Sequence, residues 1–261
     1  MTLPENIRTH IGEMTGHTDN IGMSGSCITV YDHCVLKIED VTAYTERNIN
    51  AMHWLSERIP APRIICHEIN NNRSFLLMSR IPGRMCCDPE LLEQPAIVVN
   101  ALAAGLLLLW QTNPVGCPRD RRLPKLLQEA RWQVENGLVD LDNVQPETFG
   151  PDGFENPAHL LRWLEDNQVP SVPVLAHGDY CLPNIFIENG HFSGFVDVGD
   201  TGLGEKWRDI ALCWRSLRDN YNGSYGGKAY PDFDPNILFQ HLGIVPDWQQ
   251  IRYHLLLDEL F

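Results

Sequence analysis

Residues 175–200 read LAHGDYCLPNIFIENGHFSGFVDVGD and set three Asp and two Asn beside two short, strongly apolar runs. Asn189-Gly190 is the strongest short hairpin signal, because both central positions of a type I′ turn need positive φ. With those two residues in the turn, Glu188 faces His191, and counting outward puts Asn184 opposite Phe195 and Asp197 opposite Leu182. Side chains alternate faces along a strand. Ile185, Ile187, Phe192, Val196 and Val198 therefore make one apolar face suited to a core, while Asn184, Phe186, Phe195 and Asp197 point the other way. An amide and a carboxylate placed diagonally lie roughly 7–8 Å apart at the backbone, within reach of one shared ion. Asp179, in the loop that enters the hairpin, can approach the same point.

Two carboxylates and an amide carbonyl suit a hard cation with oxygen ligands, and Mg²⁺ held together with substrate phosphates is the usual use. The chemistry that follows is phosphoryl transfer, with the metal neutralising phosphate charge and an Asp orienting a hydroxyl and accepting its proton. On residue types alone a second reading stands beside it, in which Asp179 and Asn184 cap turns and Asp197 ends a strand.

The 261 residues carry 20 Lys and Arg against 34 Asp and Glu, a net charge of -14, which excludes nucleic acid and anionic membranes as favoured partners. A cationic ligand is the compatible class. Eight cysteines include no CxxC pair, so neither a zinc site nor a disulfide framework is indicated. The opening MTLPENIRTH lacks the apolar stretch of a signal peptide, which predicts a cytoplasmic protein with reduced thiols. The longest apolar run, residues 96–112, is 17 residues with Asn100 and Gln111 inside it, marginal for a bilayer and better suited to a buried helix.

Outward from the hairpin the pattern changes once. Residues 26–38 (SCITVYDHCVLKI), 63–69 and 74–79 read as strands, with a helix from Ala43 to Glu57 among them. After Ile81-Pro82-Gly83 the chain becomes mainly helical: Leu123, Leu126, Leu127, Ala130 and Val134 share one helical face, and so do Ile210, Trp214, Leu217 and Tyr221. Asn156-Pro157 reads as an N-cap with proline at the first helical position, and Asp247 with Gln250 as a capping box. The fold class is α+β: a sheet-rich N-lobe over residues 1–79, a hinge at 80–83, and a larger helical C-lobe over 84–261.

His177-Gly178-Asp179, Asn184 and Phe195-Val196-Asp197 resemble the catalytic and metal-binding segment of the aminoglycoside 3′-phosphotransferases, relatives of the protein kinases. SGFVDVGDTGLGEKWRDIALCWRSLRD (193–219) and LGIVPDWQQIRYHLLLDELF (242–261) are similar to further segments of that family. GMS (22–24), VLKI (35–38) and LLMS (76–79) extend the likeness into the N-lobe, while residues 112–156 match weakly. The resemblance implies a bilobal protein-kinase-like fold with a small antiparallel-sheet N-lobe. It makes Asp179 the base that orients the acceptor hydroxyl, and Asn184 and Asp197 the Mg²⁺ ligands. Lys37 would meet the inner phosphates of ATP or GTP, Ser24 and Gly25 would close over them, and the Ser79–Ile81 backbone would hold the base edge.

The sequence ends with Asp258, Glu259 and the Phe261 carboxylate on the last turn of a predicted helix, where the helix dipole disfavours anions. That placement requires a cation, and a cationic aminoglycoside supplies one; the resemblance assigns this end to the substrate amines, with Asp219 and the acidic loop 140–155 adding to the surface. Three positions depart from the family. Asn48 stands where a Glu usually pairs with the strand lysine, and Glu46 lies about 200° around the helix from it. Asp200 stands where Arg is usual, and Val35 where some members place an aromatic ring. Lys37 should therefore be less well oriented and nucleotide stacking weaker. Two other classes stay open: a kinase of a different hydroxylated metabolite, or a binding protein that holds nucleotide or a cationic ligand without turnover.

Overall fold

The computed structural model describes residues 3–19, 27–42 and 44–261. Helix α1 (Glu5–Ile11) lies over a five-stranded antiparallel sheet of order β1-β2-β3-β5-β4, formed by β1 (His17–Asp19), β2 (Cys27–Val30), β3 (Cys34–Asp40), β4 (Ile64–Asn70) and β5 (Arg73–Ser79). The stretch read as one strand material over 26–38 is a hairpin, broken where Tyr31 N–H donates to the Cys34 carbonyl at 2.8 Å. Alternation decides the buried face of β3: Cys34, Leu36 and Ile38 point inward onto Ile7 and Ile11 of α1, with Phe75 and Leu77 of β5 beside them.

Helix α2 (Thr45–Ser56) follows β3 and turns Ala51, Met52 and Leu55 inward. Met52, Leu55 and Leu76 of β5 belong to the main core, together with residues far beyond the hinge segment, so the sheet and the helical part share one apolar interior. The backbone reinforces that continuity, because Phe195 N–H donates to the Pro60 carbonyl at 2.8 Å.

Past Arg80–Gly83 come β6 (Arg84–Met85), α3 (Pro89–Leu92), α4 (Pro95–Gln111), α5 (Leu123–Glu135), α6 (Pro157–Asp166), β7 (Pro173–Ala176), β8 (Ile185–Glu188), β9 (His191–Phe195), β10 (Gly202–Glu205), α7 (Lys206–Tyr221), α8 (Ile237–Leu242) and α9 (Trp248–Asp258). The apolar run at 96–112 is the buried helix α4, with Val98, Leu102, Leu106 and Leu109 fully enclosed. Gly105 of α4 leaves room for Tyr180: a Cβ there would sit 2.3 Å from the Tyr180 hydroxyl, which instead donates to the Leu102 carbonyl at 2.7 Å. Among the described residues no helix is long and apolar enough to cross a membrane. All eight cysteines are free.

Both predicted helix starts at 156–157 and 247 occur. Asn156 accepts from His159 N–H at 2.9 Å, and Asp247 accepts from Gln249 and Gln250 N–H. Only half of the expected capping box forms, because the Gln250 amide turns away to donate to the Pro170 carbonyl at 2.8 Å. The β8–β9 hairpin does turn at Asn189 and Gly190, with φ of 51° and 79°. Its register departs from the count: Glu188 pairs with His191 and Ile187 with Phe192, then a bulge shifts the ladder so that Phe186 pairs with Gly194 and Ile185 with Phe195. An extra residue in one strand reverses every later side chain. Phe195 accordingly joins Ile185 and Ile187 in the core, correcting its expected outward placement.

Candidate active site

Strand β7 pairs antiparallel with β10 and delivers His177-Gly178-Asp179 to the mouth of the β8–β9 hairpin. The polar groups of this loop are satisfied from below. The Asp209 carboxylate of α7, wholly buried, accepts from His177 N–H at 2.7 Å and Gly178 N–H at 2.9 Å. Arg208 Nε donates to the Gly178 carbonyl at 3.1 Å, and the Thr201 hydroxyl to the His177 carbonyl at 3.2 Å. His177 Nε2 lies 3.0 Å from the Val196 carbonyl, so that nitrogen carries a proton and donates it there. With its backbone held this way, the loop ends on the solvent-exposed carboxylate of Asp179.

Asn184, on a short 3₁₀ turn over Leu182–Asn184, is 8% exposed and donates its amide nitrogen to Asp179 Oδ2 at 2.8 Å and to the Asp179 carbonyl at 2.9 Å. That fixes which end of the amide is which and leaves Oδ1 free to accept. Asp197 follows β9 in the left-handed region (φ 51°, ψ 48°), a conformation Asp tolerates better than most residues. The expected pairing of Asn184 with Phe195 and Asp197 with Leu182 is replaced by a bond from Val196 N–H to the Asn184 carbonyl at 2.9 Å. The bulge and the left-handed turn together swing Asp197 out of the ladder into the exposed cleft mouth, where its carboxylate makes no hydrogen bond among the described residues.

The cleft between sheet and helical part is lined by Lys37, Glu39, Asn48, Met78, Asp197 and Gly199 among others. Lys37 Nζ lies 3.0 Å from Glu39, two residues along the same strand face, so its carboxylate partner comes from β3 instead of α2. Asn48 accepts from Arg119, which also donates to Asp200 Oδ1 at 3.2 Å. Burial pushes the Asp200 carboxyl up, but the Arg121, Arg119 and Arg208 charges outweigh it and leave it below the usual range. Val35 pairs with Met78 across the β3–β5 ladder. Ser79 N–H is already bound to the Arg63 carbonyl at 2.8 Å, whereas buried Ile81 offers an N–H with no partner among the described residues. Ser24 and Gly25, with the rest of the Gly22–Gly25 turn, lie outside the described residues.

The carboxylates near the end of α9 do not wait for a ligand to compensate them. Asp258 accepts from Arg208 at 2.7 Å and from Arg215, and Glu259, 5% exposed at its side chain, lies 3.5 Å from Arg215. Glu259 also accepts from Gln145 N–H at 2.7 Å. Asp219 is held by Arg218 through bonds of 2.7 and 3.1 Å. Burial raises the Asp258 carboxyl, yet Arg208 and Arg215 bring it below its ordinary value; at Glu259 burial prevails and the net direction is upward. Arg208 and Arg215 of α7 thus pair with Asp258 and Glu259, and Arg218 with Asp219, so these three carboxylates have cationic partners within the chain. The Phe261 ring lies beneath the Arg208 guanidinium at 5.6 Å. Asp140, Asp142, Glu147, Asp152 and Glu155 of the preceding loop stay exposed.

His254, 1% exposed, sits against the Arg208–Asp258 pair; burial first and the Arg208 charge second hold it down to about 3. The unfolded chain protonates this ring near pH 6.5, so its contribution to stability is complete above that value and is lost as pH falls towards 3. Chemical denaturation should lose about 2 kcal/mol from this group between pH 7 and pH 5. His254→Leu should flatten that part of the profile, and an unaltered slope in the variant would refute the assignment.

Asp209, Arg208 and Arg119 were not anticipated. For Asp209 a signal exists, since an Asp amid buried Ile210, Ala211 and Cys213 is a polar group on a core-facing helix stripe. Arg119 has none, because its partners come from segments about 70 and 80 residues away in the chain.

A model of the phosphotransferase enzyme family matches residues 34–254. An aminoglycoside 3′-phosphotransferase of Enterococcus faecalis is 34% identical over 226 residues, covering 86% of this chain and 82% of that protein. One from Campylobacter jejuni is 30% identical over 235 residues, 87% of this chain and 88% of its own. Among solved structures, an aminoglycoside phosphotransferase from Streptomyces rimosus overlays with a TM-score of 0.80 at 23% identity, over 97% of this chain and 95% of that one. Another structure of that protein, with a TM-score of 0.79, holds ADP and streptomycin. The fold is accordingly the bilobal, protein-kinase-like one of these enzymes.

Proposed function

The chain belongs to the phosphotransferase enzyme family, and from that premise we propose that it transfers the γ-phosphate of ATP or GTP to the 3′-hydroxyl of an aminoglycoside in the cytoplasm, inactivating the antibiotic. The observation that carries the reading is the Asp179–Asn184 pair: an exposed carboxylate on a loop whose backbone is satisfied from the core, with the amide oriented by it at 2.8 Å. Asp179 orients the acceptor hydroxyl and takes its proton, which in phosphoryl transfer is chiefly a positioning role. Asn184 Oδ1 and the Asp197 carboxylate are the protein ligands for Mg²⁺, and bound Mg²⁺ would supply charge neutralisation on the phosphates. Their chemistry fits the ion: both offer free oxygens, the donor type Mg²⁺ takes alongside phosphates and water.

Lys37, oriented by Glu39, meets the inner phosphates as a point charge. The Ile81 N–H and the Ser79 carbonyl receive the base edge in a connection at 80–83, between a nucleotide lobe over 1–79 and a catalytic lobe over 84–261. Ser24 and Gly25 cover the phosphates. Asp219, Asp258, Glu259 and Phe261 face the acceptor with the exposed carboxylates of the 140–155 loop. One observation favours a second reading, a kinase of a less cationic hydroxylated acceptor: Arg208, Arg215 and Arg218 already neutralise Asp258, Glu259 and Asp219.

The test is purified protein with Mg-ATP or Mg-GTP across a panel of aminoglycosides and amine-free or amine-poor polyhydroxylated acceptors, following acceptor-dependent nucleoside diphosphate release. Turnover with 3′-hydroxyl aminoglycosides and none with their 3′-deoxy analogues is expected. Turnover confined to acceptors with few amines would favour the second reading, and none with any acceptor would overturn both.

A further inference from the structure

Arg119 is 4% exposed, and its guanidinium bridges the two sides of the cleft. One arm donates to Asp200 at 3.2 Å, beside the turn that carries Asp197, and the other donates to the Asn48 amide oxygen on α2. Its backbone is fixed to β10: the Arg119 carbonyl accepts from Leu203 N–H at 2.9 Å, and Arg121 N–H donates to the Leu203 carbonyl at 2.7 Å. The approach depends on Gly202, where a Cβ would stand 2.7 Å from the Arg119 carbonyl oxygen. The starting point of the side chain is therefore set by the strand that follows Asp200.

A guanidinium can only donate, so the Asn48 atom facing it must be the oxygen. The Asn48 NH₂ is then turned the other way. Asn48 lines the same cleft as Lys37, Asp197 and Gly199, and its NH₂ has no partner among the described residues. Asp200 is shared by Arg119 and Arg121, at 3.2 and 3.5 Å, so its negative charge is cancelled locally and does not oppose phosphates.

We propose that Arg119 is a positioning residue that holds Asn48 with its amide N–H groups facing the nucleotide phosphates, Asp200 being the counter-charge that allows the guanidinium to stay buried. The inference rests on the nucleotide site proposed above. It joins two positions, 48 and 200, that in sequence look like unrelated losses. An N–H aimed at phosphate takes the place of a carboxylate there, and a neutral donor attracts the anion that a carboxylate would repel.

Calorimetric titration with Mg-ADP tests this without an acceptor, and steady-state kinetics with any accepted acceptor add a second readout. Arg119→Ala and Asn48→Ala should each weaken Mg-ADP about tenfold, with the acceptor KM within about twofold of wild type. The double variant should bind within about twofold of the weaker single, because both changes remove one contact. Arg119→Lys, which cannot fork to two partners, should fall between. Asn48→Asp keeps an acceptor for Arg119 but has no N–H and adds a negative charge, and should bind Mg-ADP at least as weakly as Asn48→Ala. Wild-type affinity in Asn48→Asp would reduce Asn48 to a strut and overturn the proposal, as would unchanged affinity in Arg119→Ala or multiplicative losses in the double variant. Asn48 is half-exposed, so its variants remain informative if Arg119→Ala fails to fold. No Mg-ADP binding by wild type would instead overturn the nucleotide reading itself, and this inference with it.

Discussion

Asp179→Asn is expected to lower kcat about 10²- to 10⁴-fold while leaving thermal stability and Mg-ADP affinity close to wild type. The separation follows from where the carboxylate sits. It is exposed, makes no ion pair among the described residues, and accepts from the Asn184 amide at 2.8 Å, with the Cys181 thiol beside it. An amide at 179 can turn its oxygen to that donor, so the loop keeps its shape. What it cannot do is accept a proton from the acceptor hydroxyl. The measurement pairs steady-state kinetics on the best acceptor with scanning calorimetry. A kcat within about fivefold of wild type would remove Asp179 from the chemistry, and a large loss of Tm would show that its role is structural.

The second large effect falls below the site. Asp209→Ala removes the acceptor of the buried His177 and Gly178 N–H groups, leaving two donors unpaired beside a cavity. Each unpaired buried donor costs about 1–3 kcal/mol, so urea unfolding should lose on the order of 3–5 kcal/mol. Burial raises the Asp209 carboxyl above its ordinary value, and nearby His177 and the two N–H groups counter that only in part. Asp209→Asn, which keeps the volume and one acceptor oxygen, should recover part of the loss. The contrast is Asp140→Ala on the exposed loop, expected to shift stability by less than about 0.5 kcal/mol. Equal effects at 209 and 140 would mean that the loop carrying Asp179 does not depend on α7. Activity adds a second readout, because a loosened 177–179 loop should lose kcat in proportion to the misplacement of Asp179.

Patterns with a short range carried much of this from sequence. The Asn189-Gly190 turn was legible because two positive φ values in succession admit few residues. The buried α4 was legible from a single run of apolar residues, and the starts of α6 and α9 from one capping side chain each. The motif residues Asp179, Asn184 and Asp197 do converge on one hairpin mouth, although by another path than the count implied. The bulge that puts Phe195 into the core is invisible to alternation, because a counting rule has no means of seeing one residue left unpaired. The Gln250 amide likewise had two outlets, and the Pro170 carbonyl was the one placed within reach by packing.

The electrostatics at both ends of the cleft were decided by contacts across the chain. Asp258 and Glu259 looked like a surface waiting for amines because dipole and charge are local quantities; their answer, Arg208 and Arg215, comes from α7, packed against α9 along its length. Asn48 and Asp200 looked like two separate defects and are joined through Arg119. What the sequence by itself determined is the α+β class, the hairpin turn and the starts of α6 and α9, all of which rest on backbone propensity, capping and periodicity. What only the tertiary structure decided is which charge meets which. Ion pairs and hydrogen bonds form between side chains a few ångströms apart, and that proximity is created by packing helices and strands whose positions in the chain are tens of residues distant.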